Sequence, residues 1–224
     1  ICGTLGSALF GLCLVGAGQE YAAAAEPILR WQAAPTRPAV TFLSWDTEGG
    51  DRSGTNLLRA GQPVAPRVRI KGQWLSAPDG PTPHAASATS TLPFVIPFGQ
   101  DANLAWLLTS TPQSLQMSFT ATGPQAAQIE TIQISFPFDP GVTPTTVLPN
   151  AWRDDGTLQL PAVISAPDFG QMLLSDPDQR GWQGRLEGSR ADKTVDFIVE
   201  LSSVRPNETY SLALNPLHLA APEG

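Results

Sequence analysis

Proline and glycine restrict this chain more than any other feature. They number 22 and 20 in 224 residues, and from Pro27 to Pro222 they recur too closely for helices of ordinary length to form between them. The segments between the breaks are short and apolar, and several alternate with a period of two. Ala39–Trp45 is one. Arg67–Leu75 alternates charged with apolar side chains and reads as a strand with one wet face. Leu104–Leu108 and Leu115–Thr120 are joined by Ser110, Thr111, Pro112 and Gln113, a hairpin connection. Ile129–Phe136 places Ile132, Ile134 and Phe136 on one face. Further runs are Thr157–Pro161, Val163–Ser165, Gln183–Glu187, Thr194–Leu201 and Thr209–Leu214. In Thr194–Leu201, Val195, Phe197, Val199 and Leu201 point one way, and Asp196 and Glu200 the other. Roughly ten closely spaced strands predict an all-β fold, a mostly antiparallel β-sandwich, rather than βαβ units.

The two ends read differently from the middle. Ile1–Ala17 is apolar, uncharged and rich in small residues, too short to span a bilayer comfortably. Gln19 and Glu20 interrupt it before Ala22–Ala25. Small residues at −3 and −1 suit a signal peptidase. The reading is a signal peptide remnant over 1–25, with a buried N-terminal helix as the alternative. A sandwich domain follows over 26–215. The Pro-punctuated stretch 216–224 is the start of a linker to a downstream domain. The expected location is secreted or periplasmic, with no membrane contact after cleavage. Cys2 and Cys13 are the only cysteines and lie in the signal, so the mature domain would have no disulfide and no thiolate metal site.

Charge narrows the function classes. The net charge is −7, and the 13 basic residues are scattered singly, which argues against nucleic acid as a partner. A Ser-His-Asp triad would have to use His84, in a small-residue loop, or His218, in the tail, and no nucleophile elbow accompanies either. No phosphate-cradling glycine motif is present. Neither a cofactor nor a metal is expected.

Two acidic clusters allow more than one reading. Asp154 and Asp155, behind Trp152 and Arg153, could hold a hard cation or act on a glycosidic bond opposite another carboxyl. They also suit a turn before the strand at Thr157. Asp176-Pro177-Asp178 has calcium-like D-x-D spacing, but the later glycine and acidic ligand of an EF-hand loop are missing, and a turn is the simpler reading. Of the six tryptophans, Trp45, Trp74 and Trp106 fall in strand patterns and are expected in the core. Trp152 and Trp182 stand beside polar loop residues and are candidates for exposed stacking on a sugar ring. The long connection Phe138–Trp152 and the companion loop Ser165–Gly170 hold prolines that should order them. They are expected to share one end of the sandwich as a functional face. The candidate ligand-binding set is Trp152, Arg153, Asp154, Asp155, Asp168 and Trp182, and no residue is assigned a catalytic role.

Ser135–Pro149, with its Phe136, Pro137, Phe138, Asp139, Pro140 and Gly141, continues through Leu160–Leu174. Together these segments resemble the N-terminal β-sandwich (supersandwich) region of bacterial six-hairpin glycosidase-like proteins, over about residues 90–215. The resemblance implies a supersandwich-like fold. It also implies a non-catalytic module that packs against a downstream (α/α)6 glycosidase domain and shapes its cleft, leaving catalysis to that domain. The expected partners are therefore a carbohydrate or a downstream catalytic domain of the same chain. A stand-alone carbohydrate-binding module and a structural or adhesion sandwich are the alternatives.

If 1–25 is a signal, N-terminal sequencing of the exported protein should begin near Glu26. Recovery of Ile1 would contradict that reading.

Overall fold

The computed structural model describes residues 28–34, 37–46, 54–78, 91–99, 101–111, 113–139, 145–146, 157–166, 169–189 and 194–217. The expected signal 1–25 lies outside them. The strands are β1 (Ile28–Ala33), β2 (Val40–Asp46), β3 (Pro66–Ile70), β4 (Gln73–Ser76), β5 (Thr91–Pro97), β6 (Asn103–Thr111), β7 (Ser114–Thr122), β8 (Ile129–Phe138), β9 (Thr145–Thr146), β10 (Leu158–Gln159), β11 (Ala162–Ala166), β12 (Gly170–Ser175), β13 (Gln183–Ser189), β14 (Thr194–Ser202) and β15 (Thr209–Leu217). A single short 3-10 turn, Ala126–Gln128, is the helical exception among the described residues.

Two large antiparallel sheets form the sandwich. The six-stranded sheet runs β10-β13-β14-β8-β3-β4, the seven-stranded sheet runs β5-β6-β7-β15-β12-β11-β9, and β1-β2 make a separate ribbon. Alternation decides which side chains face in. In β5, Leu92, Phe94 and Ile96 are buried while Thr91, Pro93, Val95 and Pro97 are exposed. β6 and β7 repeat the pattern with Leu104, Trp106 and Leu108 and with Leu115, Met117 and Phe119. From the other sheet come Val68, Ile132, Ile134, Phe136, Phe138, Phe197, Val199 and Leu201, and all of these belong to one continuous core. β8, flanked by β14 and β3, is buried on both faces for most of its length, so its polar Thr131 and Gln133 are buried along with Ile132, Ile134 and Phe136.

The core is organised by a row of rings. Register places Phe94 opposite Trp106, Trp106 opposite Phe119, and Phe119 opposite Tyr210. Ring centroids are 5.1 Å apart for Phe94–Trp106 and 6.1 Å for Trp106–Phe119. Trp45 meets Phe138 edge-on at 6.2 Å and ties the β1-β2 ribbon to the end of β8.

The outer faces differ sharply. The strands of the seven-stranded sheet contain no Asp, Glu, Lys or Arg, whereas those of the six-stranded sheet contain Arg67, Arg69, Glu130, Arg185, Glu187, Asp196 and Glu200. There Gln133 donates to Glu200, and Arg185 bridges Glu200 and Glu187 at 2.7 Å each. Burial works to lower the Arg185 pKa, but its bonds to Glu200 and Glu187 outweigh that and leave it raised above the ordinary value.

Several expectations need correction. Arg67–Leu75 is a hairpin, not one strand: Lys71 and Gly72 form its two-residue turn with φ of 48° and 75°, the left-handed pair that suits the twist of a tight hairpin. Trp74 is half-buried rather than central in the core, and the Arg67 and Arg69 guanidinium carbons lie 5.5 and 5.8 Å from its ring centroid. β1, β5, β9 and β12 occur where the sequence reading places no strand. In β5 the breakers Pro93 and Pro97 are tolerated because the strand lies at a sheet edge. β15 runs to Leu217. Its pairing with β7 stops at Leu214, so Pro216 sits beside β12 alone and its missing N–H interrupts no second ladder.

Phe119 touches rings on both sides, so Phe119→Ala should cost about 3–5 kcal/mol, read by chemical denaturation. A loss under ~1 kcal/mol would show that the row does not organise the core.

Candidate functional site

The chain passes between the two sheets twice at neighbouring places. Gln159 ends β10 in the six-stranded sheet, and Ala162 opens β11 in the seven-stranded one, so Leu160 and Pro161, joined by a cis peptide bond, make the first crossing. Ser175 ends β12 and Gln183 opens β13, so 176–182 makes the return. Register holds the crossings together: Gln159 pairs with Gln183, and Ala162 with Leu174. Between them lies an open cleft of about 540 Å³, lined by Gln159, Leu160 and Pro161 on one side and by Ser175, Asp176, Pro177, Gln179, Gly181 and Trp182 on the other.

Asp176 shapes the return loop. Its Oδ2 accepts the backbone N–H of Gly181 at 2.8 Å and of Trp182 at 3.2 Å, and its carbonyl accepts from Gln179 N at 3.1 Å. The chain turns through left-handed backbone at Gln179, φ 51°, and Gly181, φ 88°. The turn reading of Asp176-Pro177-Asp178 therefore holds. The other carboxylate oxygen, Oδ1, is buried and has no protein partner. Outside the loop, Arg180 lies 5.8 Å from the Tyr210 ring centroid and 3.7 Å from Glu208 Oε2. The Tyr210 hydroxyl donates to Glu208 at 3.2 Å and accepts from Arg205 N at 2.8 Å. These contacts fasten the loop to the start of β15.

Trp182 corrects a sequence expectation. It is not an exposed stacking platform: its residue is fully buried, and its ring lies 5.7 Å from Phe119. The surface-side polarity of the loop belongs to Asp176 through Gly181, while the indole is the loop's anchor in the core. Trp152, Arg153, Asp154, Asp155 and Asp168 lie outside the described residues, as do His84 and His218. Of the long connection after Phe138, β9 is described, and it pairs Thr145 with Ser165 beside the β11–β12 turn. Ser165 lies toward the end of β11 away from the cleft. Among the described residues no group of three or more His, Cys, Asp or Glu is placed to hold a metal ion, and no helix is long and apolar enough to cross a membrane.

Sequence reasoning reached Asp176 and Trp182 but not Gln159, Ser175 or Gln179. The available signal was two polar strand ends, each followed by a proline, flanking one hairpin.

No family model matches the chain, and no curated protein matches it. A solved structure similar in fold is that of an Escherichia coli K12 protein provisionally named an aldose 1-epimerase, with 12% identity, 86% of this chain and 100% of that chain covered, and a TM-score of 0.45.

Asp176→Ala strands two loop N–H groups and should cost about 1–3 kcal/mol in thermal or chemical unfolding. The exposed neighbour Asp178 should tolerate alanine within about 0.5 kcal/mol. Equal effects would contradict the role given to Asp176.

Proposed function

We propose that this sandwich is a non-catalytic carbohydrate-binding module of a secreted or periplasmic carbohydrate-active protein, and that the cleft between the two crossings takes part of a saccharide. In the fuller form of this reading, the module stands before an (α/α)6 glycosidase domain and shapes one rim of its substrate path. The cleft composition carries the proposal. Gln159 and Gln179 supply amides and Ser175 a hydroxyl, while Leu160, Pro161 and Pro177 supply apolar surface. Sugars present both kinds of surface, hydroxyl edges and C–H faces, and such mixed clefts suit them.

Calorimetric titration with a panel of neutral oligosaccharides should find one class that binds with Kd of about 10 µM to 1 mM. Gln159→Ala and Gln179→Ala should each weaken it about tenfold, a change of about 1.4 kcal/mol, and no reducing ends should be released. Absence of binding across the panel, or binding indifferent to both substitutions, would refute the proposal.

A further inference from the structure

We propose that the outer face of β5-β6-β7-β15 is a self-association surface, on which two copies of this chain meet face to face about a twofold axis. A water-facing sheet ordinarily mixes both signs of charge, as the outer face of the six-stranded sheet does. This face has none, and its outward residues are chiefly Thr, Ser, Ala, Asn and Gln. The exposed large hydrophobics among the described residues, Val95 at 69% and Leu107 at 37%, both lie on it. They sit on adjacent strands: Pro93 is opposite Leu107 and Val95 opposite Ala105, which makes one apolar corner.

Charge selects the occupant. Each chain carries −7, so two copies repel, and a neutral face lets them meet without bringing like charges into contact. Edge-to-edge pairing is not the available route. β9, β10 and β4 are edge strands of two, two and four residues, and the remaining large-sheet edge, β5, lacks N–H groups at Pro93 and Pro97. Four strands about 4.8 Å apart, one of seven residues and three of nine, present on the order of 600 Å². That is the low end of what one partner gives to a specific interface, so the dimer is weak and reversible.

Sedimentation velocity of the 224-residue chain from about 1 to about 100 µM should show a monomer–dimer equilibrium. Raising salt should tighten it, because screening removes the mutual repulsion and the face has no ion pairs to lose. Val95→Lys and Leu107→Lys should each raise the dissociation constant at least about tenfold with unchanged melting temperature. Should Leu107→Lys lower the melting temperature, Val95→Lys decides, since its side chain already stands in solvent. A monomer throughout, a dimer untouched by Val95→Lys, or a dimer that salt dissolves would overturn the proposal. So would a face shielded on adding a polysaccharide or another protein while the chain itself stays monomeric.

Discussion

Trp182 leaves the end of β12's return loop and lays its ring against Phe119, the third member of the row Phe94–Trp106–Phe119. That contact joins the crossing between sheets to the centre of the core. An aromatic pair adds about 0.5–1.5 kcal/mol beyond the burial of its area, and here the burial is complete on both sides. The indole N–H of Trp182 finds no partner, nor do those of Trp45 and Trp106. An unpartnered buried donor costs about 1–3 kcal/mol. These tryptophans are therefore retained for volume and ring packing, which must exceed that cost. With Trp182 fixed, Asp176 need only gather the N–H groups at 181 and 182 to close the loop. The polar side chains of the cleft then stand on a rigid base.

The asymmetry of the outer faces follows from how each sheet treats its side chains. On the six-stranded sheet, long side chains cross several strands. Gln133 is almost buried beneath this layer, and Arg185 shares two carboxylates. On the seven-stranded sheet the outward residues are short, and their bonds stay local, as in Thr120 with Thr209 at 2.9 Å and Ser118 with Ser211 at 3.4 Å. One face is satisfied by itself; the other is neutral and has an uncovered apolar corner. Both share one core, so the difference reflects what each face meets rather than how the fold is held together.

Much of the fold was legible because alternation survives wherever a strand has one wet face. The β6–β7 hairpin and β8, β13, β14 and β15 fall close to where the pattern puts them. Misreadings occurred where a local rule yields to position in the sheet. Pro93 and Pro97 signal a break, yet an edge strand accepts them. Lys71-Gly72 lies within a continuous alternation and still reverses the chain, because two left-handed residues suffice for a hairpin. The site was less legible. Trp182 stands among polar residues in the sequence, and neighbours in sequence say nothing of a ring 63 positions away in the core. Gln159 and Gln179 become neighbours only because two crossings between sheets lie side by side, which no local pattern encodes.

On this proposal, the cleft raised on Trp182 holds a saccharide. The most direct test follows backbone amide resonances of isotopically labelled protein during titration with the neutral oligosaccharide that binds. The shifts should cluster at Gln159, Leu160, Ser175, Asp176, Gln179, Gly181 and Trp182 and spare β5 and β6. Saturable shifts centred elsewhere on the molecule, with those amides unmoved, would contradict it.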